Sequence, residues 1–347
     1  MKNDPGIGAA SDAKQIGSTQ PATAPARSSV LNRIARFREL GIIIAILVMG
    51  LLIESRTKSF LGSYNLSTLL VQFAMFGILS IGETFVILTA GIDLSVGAVT
   101  AFSAVFSSMM VVNFHISTPI AILVILVLGA LIGFIHSLFI VRAGITPFIV
   151  TLASMSIFEG LTLYITQGFP VTNLPASYLW LGSSAIFGIP TPFWLLAAYF
   201  GLVWLIIYRM PIGRHVFAVG GNAQASRLSG VRVDRVLTFV YIVSAVSASL
   251  VGVVLAGWLG EGQPGAASGW ELQAIAATII GGTSLFGGVG SLLGAVLGAV
   301  FMSTLSDGMV LLNISSYLQQ FVLGVVILMA VLFAMWQARR LKASGRR

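Results

Sequence analysis

Cysteine is absent from this chain, which excludes a disulfide framework, a thiolate metal site and a cysteine nucleophile. Histidine is nearly absent: His115, His136 and His215 are far apart and form no HExxH pair, so no metal site is expected. The sequence places His136 in a helix and His115 and His215 in loops. There is no GxxxxGK[ST] phosphate loop, and no Ser/His pair or paired Asp motif that would signal an intramembrane enzyme. Charge is scarce as well. Only 9% of the 347 residues are charged and 57% are hydrophobic, against about 25% charged in soluble domains. The composition is that of a membrane protein.

Residues 1–38 differ from the rest, being rich in Ala, Ser, Gly, Pro and Thr before the first apolar run near Leu40. They read as a disordered cytoplasmic tail. Asp4 and Asp12 occupy what would be the basic region of a signal peptide, so cleavage is not expected. A bilayer core needs about 20 apolar residues per helix. Ten segments qualify, near 39–54, 66–90, 94–113, 118–141, 147–167, 191–208, 236–258, 270–286, 290–311 and 317–336. The expected organisation is a transmembrane domain over 39–336, a cytoplasmic loop over 209–235 and a basic cytoplasmic tail over 337–347. With both termini inside, all of the 19 Lys and Arg except Arg56 and Lys58 lie on the cytoplasmic side, as the positive-inside rule requires. The net charge of +8 is thus a topology signal. Five spans followed by five would invert the two halves, although they share no clear sequence repeat.

Three stretches concentrate the polar and small residues. In "VILTAGIDLSVGAV" Asp93 and Ser95 lie between Gly91 and Gly97, and Asp-x-Ser before a new apolar run marks a helix N-terminus capped by the carboxylate. Glu83 is a second intramembrane carboxylate, and both are candidates for a pathway or an ion site. In the loop Tyr208–Val236, Asn222-Ala-Gln-Ala-Ser-Arg-Leu-Ser229 reads as one short helix, with Asn222 as cap and Gly230 as stop. It suits either a docking element or a plain interfacial connector. Between Gly257 and Phe301, Gly281, Gly282, Gly290, Gly294 and Gly298 allow close helix packing.

"GETFVILTAGIDLSVGAV", "GRHVFAVGGNAQASRLSGVRV" and "QPGAASGWELQAIAATIIGGTSLFGGVGSLLGAVLGA", together with "GITPFIVTLASMSI" and "ISSYLQQFVLGVVILMAVL", resemble the signature segments of the ribose-type (monosaccharide) permeases of bacterial ABC importers, within the branched-chain amino-acid/sugar permease superfamily. The resemblance runs in order from about residue 40 to 336. It implies an all-α polytopic, type II ABC importer permease fold in the bacterial inner membrane, and a non-catalytic subunit. It implies a second permease copy, cytoplasmic ATP-binding subunits that hold ATP and Mg, and a periplasmic sugar-binding protein; no cofactor is expected on this chain. Carried over, Asn222, Ala225, Arg227, Leu228, Ser229 and Gly230 become the contact with the ATPase, and Gly91, Asp93 and Ser95 the bend between the second and third helices. Glu159 stands where the family often has Arg, and Ser306-Asp307-Gly308 where it commonly has Asn-Asn-Gly, which leaves pentoses, hexoses and polyols open. The other readings are a branched-chain amino-acid permease and an ion-coupled secondary transporter using Asp93 and Glu83.

Overall fold

The computed structural model describes residues 27–344, with side chains described for residues 39–332 and for Met335. The chain divides into Met1–Phe37 and Arg38–Arg347. Of the former, helical backbone is described from Arg27 onward; the rest of the expected tail lies outside the described residues.

The helices in order are α1 (Arg27–Thr57), α2 (Ser63–Leu88), α3 (Val96–Val112), α4 (Thr118–Val141), α5 (Pro147–Thr166) and α6 (Ala176–Ser183). A two-residue hairpin of β1 (Ala185–Ile186) and β2 (Ile189–Pro190) follows, with Ala185 paired to Pro190 and Ile186 to Ile189. Then come α7 (Thr191–Arg209), α8 (Pro211–Gly221), α9 (Ala223–Leu228), α10 (Val233–Leu259), α11 (Trp270–Ile280), α12 (Leu292–Leu311) and α13 (Ser316–Ser344). The expected boundaries at 38 and 337 therefore fall inside helices: no Pro or Gly stands between Arg27 and Leu40 to stop α1, or between Ala334 and Ser344 to stop α13.

Among the described residues, seven helical segments are long and apolar enough to cross a membrane: Glu39–Thr57, α2, α4, α5, α7, α10 and α12. Three more of the ten expected segments fall on the shorter apolar helices α3 and α11 and on Ser316–Leu332, the part of α13 whose side chains are described throughout. At about 1.5 Å per residue, α3 and α11 fall short of a bilayer core of about 30 Å. Irregular chain adjoins each of them, at 89–95 before α3 and at 281–291 after α11. Such backbone is tolerated at membrane depth where protein covers it, and Gly91, Asp93, Gly281 and Gly282 are buried.

The core is built on α2 and α10. Both are apolar on nearly every face, the pattern of a helix enclosed by others, and α2 is buried without interruption from Ala74 to Leu88. Helix α10 packs against α2, α3, α4 and α6. Hydroxyls join the layers: Thr100 Oγ1 on α3 donates to the Ala248 carbonyl on α10 (3.1 Å), and Thr278 Oγ1 on α11 donates to the Ser80 carbonyl on α2 (3.1 Å). Bonds of this kind between helices hold membrane bundles together where hydrophobic association cannot. By contrast, most of Glu39–Thr57 and the outer faces of α4 and α5 carry exposed apolar side chains.

The glycine-rich stretch packs as the spacing predicts at Gly281, Gly294 and Gly298. A β-carbon at Gly294 would collide with the Gly281 carbonyl, and one at Gly298 with the Ala277 carbonyl, so α11 and α12 meet backbone to backbone. Gly282 and Gly290 lie outside the two helices, although Gly290 too is closely packed, against the side chains of Thr283 and Leu88. Helix α11 ends at Ile280 and α12 starts at Leu292, which leaves both in the connection; Gly282 there takes a φ of +107°, a turn conformation open to glycine.

Candidate functional site

Helix α2 ends as Thr89 caps it, its hydroxyl donating to the Val86 carbonyl (2.9 Å). The chain turns through Ala90 and Gly91, with Gly91 packed under the Tyr241 hydroxyl of α10. Two residues later it meets a ring of polar groups. The Asp93 amide donates to Glu83 Oε1 (3.1 Å), tying the bend back onto the helix it has just left. Asp93 Oδ1 accepts from the Ser95 amide (3.0 Å) and hydroxyl (2.6 Å), and Asp93 Oδ2 accepts from the Ser244 hydroxyl on α10 (2.7 Å). Thr151 Oγ1 of α5 donates to the Ile92 carbonyl (3.2 Å).

This corrects the expected cap. Ser95, not Asp93, is the N-cap of α3, and no side chain bonds the first turn. Asp93 instead holds the amide two residues ahead in an Asx-type turn, and its second oxygen braces the turn to α10. Its three donors are what a carboxylate fully removed from water requires. Among the described residues the one ion pair is Arg227–Asp234, so these carboxylates have no basic partner in it.

Around the bend lie buried polar atoms that accept or donate nothing within the protein: Glu83 Oε2, the Tyr241 hydroxyl, His136 Nδ1 and Ser80 Oγ. His136, on α4, bonds Ser154 of α5 through Nε2 (2.7 Å) and sets its ring edge-on to Tyr241. Glu83, Gly91, Asp93 and Ser95 are thus brought together as a unit. Sequence reading missed Tyr241, Ser244 and His136, which lie on α10 and α4; a polar residue inside an otherwise apolar span was the available signal. Among the described residues no three His, Asp or Glu side chains are grouped to hold a metal ion.

Glu159 stands apart on α5, partly buried, and interacts electrostatically with Glu271 on α11. The Glu271 carboxylate lies directly over Gly97 in the first turn of α3, where a β-carbon would strike it. Asp307 accepts from Asn65 Nδ2 (2.8 Å), which fastens α12 to the start of α2.

The loop 209–235 contains two helices where one was expected. Pro211 at the first position opens α8, and its Ile212, Val216 and Val219 recur on the helical period, so His215 is helical rather than in a loop. Helix α9 matches its expected ends: Asn222 Oδ1 accepts from the Ala225 amide (2.9 Å), and Gly230 leaves it at φ +84°. Ala225, Arg227, Leu228, Ser229 and Gly230 are all exposed, Leu228 at 84%. Arg227 pairs with Asp234 (3.0 Å) across the loop.

The loop and the bend are in contact through backbone. Gly220, at the end of α8, lies so close to the Leu88 carbonyl that no side chain fits between them, and the Gly288 amide donates to that same carbonyl (2.9 Å). The last turns of α2 and α8 and the connection between α11 and α12 therefore meet at one oxygen.

A family model described as "Branched-chain amino acid transport system / permease component" matches residues 65–331. The ribose import permease protein RbsC of Bacillus subtilis is 39% identical over 85% of this chain and 92% of its own length. RbsC of Escherichia coli K12 is 37% identical over 84% and 91%. The D-allose transport system permease protein AlsC of the same organism is 35% identical over 78% and 83%. No solved structure matches the chain.

Proposed function

The chain belongs to the branched-chain amino acid transport system permease family, and from that premise we propose how it works as the membrane subunit of a monosaccharide ABC importer. Relatives at 34–39% identity are named for ribose, allose and xylose, which favours a pentose or hexose as the transported solute. ATP hydrolysis resides on a partner subunit that docks on α8 and α9 from the cytoplasm. A second permease copy completes the pathway, and a periplasmic binding protein delivers the sugar. Both termini and the loop 209–235 are cytoplasmic, the arrangement that gathers nearly all the basic residues on one side.

The observation that carries the coupling role is the meeting of Gly220 and Gly288 at the Leu88 carbonyl. Closure of the ATPase subunits pushes α8; α8 has no side-chain cushion at Gly220 and passes the displacement to the bend. The bend, held by Asp93 to α10, carries α3 with it. Each state of the pathway is then selected by partners that bind it more tightly than the alternative.

The test is uptake by the complete complex in proteoliposomes, with ATP inside and no ion gradient. Gly220→Val forces the two backbones apart. It should leave ATP hydrolysis measurable while lowering sugar uptake at least about tenfold, equivalent to about 1.4 kcal/mol of lost coupling. Uptake that needs an ion gradient in the wild type would refute the ATP-driven reading, and unchanged uptake by Gly220→Val would refute the coupling route.

A further inference from the structure

We infer that the tip of the β1–β2 hairpin is a membrane-surface anchor, with Phe187 seated in lipid at the end of α7 farthest from α8. The residue is badly placed for any purpose internal to the fold. Its φ is +54°, a left-handed conformation that residues with a bulky side chain seldom adopt. With Gly188 at φ +77° it forms a two-residue turn of the kind that favours Asn-Gly. Its ring is 94% exposed, so no packing within the protein offsets the backbone conformation. A strained residue whose side chain touches nothing in its own chain points to something outside it.

The position of the tip identifies that something. The hairpin is fastened to the first turn of a membrane helix: the Thr191 amide and hydroxyl both donate to the Ser184 carbonyl (2.8 and 2.9 Å), and Trp194 Nε1 donates to the Ile186 carbonyl (3.3 Å). Thr191 and Trp194 begin α7, which presents Leu202 and Leu205, both exposed, further along. Phe187 is therefore held close to where the chain enters the bilayer. Exposed aromatics occupy the corresponding ends of other helices: Tyr64 at the start of α2, Phe114 after α3, Tyr164 in the last turn of α5 and Tyr317 at the start of α13. Aromatic residues gather at the membrane–water boundary because an amphipathic ring is at home there, and the tip of the hairpin continues that belt from a loop. The partner is the lipid of that leaflet, at headgroup and upper acyl depth.

The absence of native cysteine makes the test clean. Phe187→Cys carries a nitroxide label in nanodiscs, beside Leu202→Cys as a lipid reference and Gln224→Cys, exposed on α9, as a water reference. Relaxation by oxygen, which concentrates in lipid, is compared with relaxation by a water-soluble nickel chelate. The expected oxygen-to-nickel ratio at 187 is several-fold above that at 224 and on the side of 202. A ratio equal to that at 224 would overturn the anchor. So would a water-like ratio that becomes protected only when the periplasmic binding protein is added, since the tip would then be a protein-docking element.

Discussion

Ser244 on α10 donates its hydroxyl hydrogen to Asp93 Oδ2 at 2.7 Å, joining residues 151 positions apart in the sequence. The bond makes the bend between α2 and α3 part of the central helix rather than a free corner. It also specifies what a substitution at Asp93 must supply: an acceptor for the Ser95 amide and a partner for the Ser244 hydroxyl.

Asparagine supplies both. Its carbonyl accepts from Ser95, and its amide donates to Ser244 once that hydroxyl turns to accept. Asp93→Asn should therefore cost no more than about 1 kcal/mol of stability and retain most ATP-driven uptake, while Asp93→Leu leaves several buried groups unpaired at about 1–3 kcal/mol each. Thermal unfolding in detergent and uptake in proteoliposomes check the pair. An ion-coupled carrier would show the opposite pattern for Asn, with folding intact and uptake abolished, because ion coupling at this position needs the ionisable group.

The sidedness of the chain is open to direct labelling. Thr172, in the loop after α5, and Gln224, on α9, are both exposed and lie at opposite ends of α7. Thr172→Cys should react with a membrane-impermeant thiol reagent on intact cells, and Gln224→Cys only after the membrane is opened. The reverse pattern would place α8 and α9 outside and remove the ATPase docking surface.

The docking surface has its own signature. Arg227→Glu breaks an exposed ion pair with Asp234, an interaction worth only about 0.2–1 kcal/mol, so folding should be almost unaffected. A fall in uptake of about tenfold or more, over 1.4 kcal/mol, with normal insertion would then belong to the partner interface. Gly230→Pro should be more severe: proline fixes φ near −65° where the chain needs +84°, and it removes the amide that bonds the Arg227 carbonyl (3.1 Å). ATP hydrolysis measured beside uptake distinguishes uncoupling from loss of assembly.

Much of the helical layout was legible because apolar runs of membrane length are a strong signal. The ends of α9 were legible too, since Asn222 and Gly230 act locally. The cap of α3 was misread for a physical reason: Asp-x-Ser fits both an N-cap and an Asx turn, and the choice depends on Ser244, which sequence does not bring near. The helicity of His215 was hard to read because the segment carries Gly213, Gly220 and Gly221; Gly220 is glycine because the Leu88 carbonyl occupies the space of a side chain. Likewise Gly282 and Gly290 share the composition of packing glycines but fall where the helix is interrupted. What sequence reading lost were positions whose meaning comes from a backbone or a hydroxyl on another helix.

The hydrogen bond from Gly288 to Leu88 also sets an order of events during synthesis. At about 5–20 residues per second, a ribosome makes Leu88 on the order of ten to forty seconds before Gly288 exists to meet it. For that interval the last carbonyl of α2 waits for its partner amide, and α10, which braces Asp93, is still unmade for most of the time. The clasp on the end of α2 can close only after the second glycine-rich turn is made, so a chain truncated before Gly288 lacks it.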